Sequence, residues 1–336
     1  MVSGLDLDAL SGWLAREAPG LLDGPLEASL ITGGKSNLTY AVTDGSTEVI
    51  VRRPPLGHVL ATAHDMSREH RVMGALAGTA VPVPTMHAMC ADDSVIGAPF
   101  YVMERMAGTP YSRAAQLQEL GAERTQQIGE RLIDTLVALH AVDPAEVGLA
   151  DFGRPDGYLE RQLRRWKKQL DASRSRDLPG IDELADRLEQ RLPAGGDGTI
   201  VHGDYRLDNA LVDESDHITA VLDWEMSTLG DPLTDLALML AYQQLSHFAG
   251  SGAIVTDAPA APGYPSPEDV LQRYSAGSGR DVSTMDFHLG LAFFKLAVIL
   301  EGIYLRHSQG QTLGDGFDGI GDAIAPLIEG GLAATR

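Results

Sequence analysis

The spacing of hydrophobic positions along this chain changes from helical to alternating and back again. Leu10, Trp13 and Leu14 recur at helical spacing behind acidic Asp6 and Asp8, which predicts a short amphipathic opening helix packed on the segment that follows. From Ala28 the pattern is that of strands: Leu30-Ile31-Thr32, Leu38-Thr39-Tyr40-Ala41-Val42 and Val49-Ile50-Val51-Arg52. Gly33-Gly34-Lys35-Ser36-Asn37 joins the first two and a polar turn at Asp44-Gly45-Ser46 joins the last two. Ser67 to Leu76 reads as a helix with Val72, Met73 and Leu76 inward, and Phe100 to Met103 as an apolar strand continuing through Glu104, Arg105 and Met106 towards Gly108. Helical spacing then dominates, with Ile128, Leu132, Leu136 and Leu139 on one face between Gln126 and His140, and again from Pro267 to Thr335. The most apolar window, Gly290 to Leu305, contains Lys295 and Glu301 and falls short of the roughly 20 residues of a membrane span. It is expected to be a buried core helix, and no membrane partner is expected. The stretch from Gly250 to Pro267 has Ala, Gly and Pro in excess and no period, so a surface loop is expected there, either a substrate lid or a mobile segment.

Composition sharpens this picture only in part. A chain of 336 residues with 44% hydrophobic content has room for two lobes with their own cores, placed here at residues 1–105 and 106–336. Lys plus Arg number 26 against 47 for Asp plus Glu, a formal charge of −21, which argues against general nucleic-acid binding. With Cys90 as its single cysteine, the chain can form neither an internal disulfide nor a Cys-rich zinc site. The first eight residues carry no basic region followed by an apolar one, so a cytoplasmic location is expected. Oligomeric state is not specified by the pattern.

Candidate chemistry concentrates in His202-Gly203-Asp204-Tyr205-Arg206-Leu207-Asp208-Asn209 and in Val221-Leu222-Asp223-Trp224-Glu225. An Asp, an Asn five positions later and a second Asp fourteen further on, at the end of an apolar run, match the kinase spacing H-R-D-x-x-x-x-N followed by D-F-G. Phosphoryl transfer requires a carboxylate beside the attacking hydroxyl, and an amide oxygen with a second carboxylate to hold Mg²⁺ on the nucleotide phosphates. Asp151-Phe152-Gly153 spells the metal motif but precedes the loop and follows no apolar strand, so it is a decoy. Gly33-Gly34-Lys35-Ser36 lacks the first glycine of a Walker A loop, Ser29 standing in its place, and leads into a strand pattern where that motif needs a helix. A flap over a nucleotide, contributed by Gly33, Gly34 and Ser36, fits better, with a plain hairpin turn as the alternative. Arg164, Arg165 and Trp166 lie in the one strongly basic segment, 161–176, which is either a solvated helix face or an anion-binding face for a phosphorylated or CoA-linked substrate.

Together these residues resemble the aminoglycoside phosphotransferase and choline-kinase-like superfamily, over roughly Ala28 to Leu332. The Tyr-Arg-Leu-Asp-Asn form of the loop, the Asp-Trp-Glu ending and Gly157-Tyr158-Leu159-Glu160-Arg161-Gln162 are similar to the branch associated with acyl-CoA dehydrogenases. The resemblance implies an α+β, bilobal protein-kinase-like fold with a small β-rich N-lobe and a larger, mainly helical C-lobe. It implies ATP and Mg²⁺ as cofactors and a small-molecule hydroxyl as acceptor, a hydroxyacyl-CoA in that branch. Asp204 would orient the hydroxyl and take its proton, and Arg206 would neutralise the transferring group. Asn209, Asp223 and Glu225 would hold Mg²⁺. Arg52, where kinases carry Lys, would meet the nucleotide phosphates and pair with Glu69; adenine would meet backbone groups near Glu104 to Met106, and Tyr205 with Arg164, Arg165 and Trp166 would face the substrate. His202 is expected to brace the loop, and Asp231 and Asp235 to tie the following helix and the loop backbone. Two other readings stay open: an aminoglycoside-type phosphotransferase, and a non-catalytic protein that binds nucleotide or acyl-CoA.

Overall fold

The computed structural model describes residues 4–31, 37–56, 65–196, 198–247, 256–311 and 319–336. Gly33, Gly34 and Ser36, the expected flap, lie outside them. In chain order the elements begin with α1 (Leu7–Glu17), β1 (Glu27–Leu30), β2 (Leu38–Thr43), β3 (Glu48–Arg53), α2 (Met66–Leu76), β4 (Met86–Cys90) and β5 (Phe100–Glu104). Then come α3 (Ala114–Leu120), α4 (Ala122–Ala141), α5 (Tyr158–Ser173), α6 (Ile181–Gln190), β6 (Thr199–Val201), β7 (Ala210–Val212) and β8 (Ile218–Val221). The chain closes with β9 (Thr228–Gly230), α7 (Leu233–Ser246), α8 (Pro267–Ser278), α9 (Met285–Ser308) and α10 (Ile324–Ala334). They form two compact units: Met1–Gly108 with Thr219–Ser227, and Thr109–Ile218 with Thr228–Arg336. The expected division into 1–105 and 106–336 is therefore corrected. The reason is hydrogen bonding: the Thr219 hydroxyl donates to the Ala107 carbonyl at 2.7 Å and the Val221 N–H to the Pro82 carbonyl at 2.8 Å, which ties this segment to the first unit.

The first unit is an antiparallel sheet of order β1-β2-β3-β5-β4. Strand alternation gives it two different faces. Val49, Val51, Phe100 and Val102 join Leu10, Trp13 and Leu14 of α1 in one core, where the Trp13 and Phe100 rings meet edge to face at 4.8 Å. Arg52 and its direct cross-strand partner Tyr101 point the other way, towards α2. Arg53, one step on, donates to the carbonyls of Gly4 and Ile96, so the two arginines do face opposite sides. The Asp65 side chain caps α2 by accepting from the Ser67 and Arg68 N–H groups. Its buried stripe is Met66, Glu69, Val72, Met73 and Leu76, which carries a carboxylate inward among apolar side chains.

In the second unit α9 is the central helix, packed against α5, α6, α7 and α10. It is long and apolar enough by composition to cross a membrane, yet it is mostly buried within this unit, as the sequence pattern suggested. The two charges in its apolar middle, Lys295 and Glu301, are satisfied inside. Glu301 accepts from Ser175 and pairs with Arg176 at 3.2 Å, and Lys295 donates to the Gly203 carbonyl at 2.9 Å. Strand β6 leads into the candidate loop and pairs antiparallel with β9. Asp151-Phe152-Gly153 is structural as expected: Phe152 is buried, and a Cβ on Gly153 would stand 2.4 Å from the Thr228 hydroxyl. The described part of 250–267 is no free lid, because Gln243 donates to the Pro265 carbonyl at 2.7 Å and Gly263 packs on the Ala122 backbone.

Candidate active site

The expected residues assemble into two clusters, one in each unit. In the first, Arg52 Nε lies 3.2 Å from Glu69 Oε2, with side chains only 13% and 1% exposed, and its guanidinium also pairs with Asp223 Oδ1. The Tyr101 hydroxyl donates to Glu69 Oε2 at 2.9 Å. Asn37 Nδ2 donates to Glu69 Oε1 at 3.2 Å and to Glu225 Oε2 at 3.3 Å, joining the two acids. Burial pushes the Glu69 carboxyl up to about 7, with Asp223 and Glu225 adding to the rise and Arg52 and Tyr101 opposing it. For Arg52, burial opposes the charge, but Tyr101, Glu69 and Asp223 outweigh it and hold the guanidinium protonated. Asp223 sits in the left-handed region at φ 67 and ψ 58, one of only two non-glycine residues with positive φ among those described. Such backbone strain in a residue other than glycine is tolerated where surrounding bonds hold it. Here the Trp224 indole donates to the Val221 carbonyl at 2.9 Å and Arg68 to that of Ser227 at 3.2 Å, fixing the turn on both sides.

The second cluster is built on the loop after β6. Asp235, in the first turn of α7, accepts the backbone N–H of His202 at 2.6 Å and of Gly203 at 2.7 Å. Burial raises the Asp235 carboxyl, but His140, His202 and the Gly203 N–H reverse this and hold it below the usual range. His202 Nδ1 accepts from the Asp204 N–H at 3.2 Å, so this imidazole braces the loop as expected. Asp231 accepts the Leu233 N–H at 2.9 Å and ties the start of α7. Asp204 is held at both oxygens. Oδ1 accepts from the Tyr242 hydroxyl at 2.9 Å; Oδ2 accepts from Asn209 Nδ2 at 3.1 Å and lies 3.3 Å from Arg206 Nε. Asn209 Nδ2 also donates to the Asp204 carbonyl at 2.9 Å, so the side-chain amide oxygen is the atom Asn209 can offer a hard cation. Arg206 pairs with Asp208 at 3.3 Å, and its guanidinium carbon lies 4.9 Å from the centre of the Tyr242 ring. Burial raises the Asp208 carboxyl despite that pairing.

Several expected site residues are corrected. Tyr205 is 1% exposed and its hydroxyl donates to the Leu132 carbonyl at 2.7 Å, so it is a core residue and faces no substrate. At Glu104, where the expected contact is through backbone groups and is not contradicted, the carboxylate accepts from the N–H and hydroxyl of Thr85 at 3.2 and 2.7 Å and closes β5. Met106 lies just beyond β5, partly buried. The basic segment is largely neutralised within its own unit: Arg164 pairs with Glu160, Lys167 with Glu189, Arg174 with Asp182 and Arg176 with Glu301. Arg164 is 68% exposed and points away from the core. Trp166 is buried and, with Tyr158, Lys295 and Gly203, lines a cavity of about 40 Å³, room for ordered water but not for a substrate. Arg165 lies 5.3 Å from the Trp166 ring centre and Lys295 Nζ 5.8 Å from it.

Sequence reasoning missed Asn37, Tyr242 and Lys295. A signal existed for Tyr242: it stands seven residues after Asp235 and therefore on the same face of α7. Asp223, Glu225 and the side-chain amide oxygen of Asn209 offer oxygen donors of the hard kind that Mg²⁺ prefers, although among the described residues no group of three or more His, Cys, Asp or Glu side chains is gathered into a metal site. Both clusters hold more carboxylates than guanidinium groups, and all the donors are hard oxygens. Asn209 belongs to one unit and Asp223 and Glu225 to the other.

Comparison with known proteins gives the same class. The model of the phosphotransferase enzyme family (APH) matches residues 27–268. A solved structure from Ralstonia eutropha, named as a candidate aminoglycoside phosphotransferase, is 33% identical, covers 98% of each chain and superposes with a TM-score of 0.86. Aminoglycoside 2′-phosphotransferase-IIIa in its GDP complex, 15% identical over 98% of this chain and 99% of its own with a TM-score of 0.62, shares the fold. Among curated relatives, acyl-CoA dehydrogenase family member 10 of Mus musculus is 36% identical over 86% of this chain and 27% of its own length. Member 11 of Gallus gallus is 34% identical over 98% of this chain and 44% of its own length. The chain thus spans less than half the length of the curated relatives it matches. With a mixed α+β fold, a β-rich N-terminal sheet, a helical C-terminal region and the family match over most of its length, the chain belongs to the phosphotransferase enzyme family and has its protein-kinase-like fold.

Proposed function

We propose that the protein is a Mg²⁺-dependent kinase that passes the γ-phosphoryl group of ATP to the hydroxyl of a small molecule, with hydroxyacyl-CoA thioesters as the acceptor class. The observation that carries this reading is the pinned carboxylate of Asp204, with Asn209 on one oxygen and Arg206 beside it. The acceptor oxygen attacks phosphorus, the bond from phosphorus to the ADP oxygen breaks, and the acceptor proton passes to Asp204. As a weak base, Asp204 contributes mainly by positioning the hydroxyl and by accepting the proton late. Each carboxylate oxygen has two lone pairs, so its existing hydrogen bonds leave capacity for that proton. Arg206 supplies positive charge for the equatorial oxygens of the transferring group, and Arg52, oriented by Glu69, serves the nucleotide phosphates. Asp223 and Glu225 of the first unit and Asn209 of the second are the residues that would offer oxygen donors to Mg²⁺, which would supply neutralisation of phosphate charge when bound.

The acyl-CoA assignment is supported by the curated relatives that share this region, which are named acyl-CoA dehydrogenase family members. The test is ADP release from MgATP with a panel of hydroxyacyl-CoAs, aminoglycosides, choline and simple sugars. Turnover with a hydroxyacyl-CoA is expected. Turnover with aminoglycosides alone would replace the acceptor class, and no turnover with no nucleotide binding would remove the kinase reading.

A further inference from the structure

We propose that Tyr242 is a positioning residue for the phosphoryl acceptor, setting the orientation of both Asp204 and Arg206 from one side chain on α7. The inference rests on the role given to Asp204 above. Its geometry is direct: the Tyr242 hydroxyl donates to Asp204 Oδ1 at 2.9 Å, and the ring of the same residue carries the Arg206 guanidinium at 4.9 Å. Asn209 holds the opposite oxygen, Oδ2, at 3.1 Å. With a donor on each oxygen the carboxylate plane is fixed, whereas one donor alone would leave it free to rotate about its Cβ–Cγ bond.

Helix geometry explains why this residue can do it. Asp235 and Tyr242 are seven residues apart, two turns or about 10.5 Å along the axis, and face the same way. Asp235 takes the backbone N–H groups of His202 and Gly203, while Tyr242 takes the side chain of Asp204. One face of α7 therefore sets both the path of the loop and the angle of its carboxylate. Helix α7 is rigidly held, since almost all of its residues are buried. A hydroxyl mounted on it transfers that rigidity to a loop side chain, and precise placement of a reacting group is worth a large factor in rate. The ring has a separate task. Its face attracts the guanidinium that also contacts Asp204 and Asp208, keeping Arg206 from folding wholly onto those acids.

Tyr242→Phe removes the hydroxyl and keeps the ring; Tyr242→Leu removes both. Measured by ADP release from MgATP, with the acceptor that turns over in the panel or with water as acceptor, Tyr242→Phe is expected to lower kcat by about 10- to 100-fold. The KM for ATP and the melting temperature should stay close to those of the parent. Tyr242→Leu is expected to lose more, and the excess over Tyr242→Phe should vanish in an Arg206→Ala background. In an Asp204→Asn background Tyr242→Phe should change the residual rate by less than about twofold, because it acts through that carboxylate. Where that background leaves no measurable rate, the crystal structure of Tyr242→Phe decides, a rotated Asp204 carboxylate being expected. An unchanged kcat, a full additional loss in the Asp204→Asn background, or an unmoved carboxylate with lowered kcat would overturn the inference. The two readings fail differently: if Asp204→Asn leaves turnover intact, the kinase role of Asp204 falls; if it abolishes turnover and Tyr242→Phe does nothing, only Tyr242 is misassigned.

Discussion

Around Arg52, two carboxylates share one guanidinium in a largely buried site, whereas around Asp204, two carboxylates share Arg206 on a loop whose backbone hangs from Asp235. The first cluster takes its shape from ion pairs between side chains on β3, α2 and the Asp223 turn. The second takes its shape from hydrogen bonds between a helix and a loop backbone. Enclosed ion pairs are strong only as a complete set, because removing one partner leaves the others buried and uncompensated. A loop hung by its backbone tolerates the loss of a side-chain charge far better. Changes near Arg52 should therefore appear in stability and its pH dependence, and changes at Asp204 in turnover.

The largest effect is expected at Asp204. Asp204→Asn should lower kcat by about 10³-fold, roughly 4 kcal/mol of barrier, with little loss of stability. Steady-state ADP release paired with thermal melting checks both halves, and a large melting shift would break the contrast. Next is Arg52→Ala, which leaves Glu69 and Asp223 without their cation and should cost about 3–5 kcal/mol in chemical denaturation. Smaller is the pH effect of Glu69. Its folded-state value lies above the ordinary 4.5, at about 7, so the folded state binds the extra proton. The stability due to this group is present below the ordinary value and is lost as pH rises from 4.5 through about 7. Glu69→Gln should flatten that slope, and an unaltered slope would show that Glu69 titrates normally. The smallest change is expected at Arg164, outside both clusters and 68% exposed: Arg164→Glu should move stability by no more than about 0.5 kcal/mol.

Much of this was legible in the chain. Strand alternation put Arg52 and Arg53 on opposite faces, whereas the pairing of Arg52 with Glu69 was expected from the kinase resemblance alone; the structure adds that Glu69 lies on the inward stripe of α2. The spacing of Asp204, Asn209 and Asp223 named the reacting groups, and Asp231 and Asp235 were recognisable as residues that tie backbone. The substrate face was less readable. Tyr205 and Trp166 look available in a polar stretch, yet both are buried, because solvent exposure depends on what packs over a position and local sequence does not encode the cover. The basic segment reads as a free cationic face until Glu160, Glu189, Asp182 and Glu301 are seen to neutralise it.

By itself the sequence determined the order of strand and helix patterns, the phosphotransfer motifs and the acids that brace them, since these are carried by local period and short spacing, and the motifs in turn implied the fold class by family resemblance. Only tertiary structure decided that Thr219–Ser227 belongs with the first unit, that Asn37 joins Glu69 to Glu225, and that Tyr242 and Lys295 attend the loop at Asp204 and Gly203. Those contacts link residues 32 to 188 positions apart. Which distant side chains meet is fixed by how helices and strands pack, and no spacing rule along the chain carries that information.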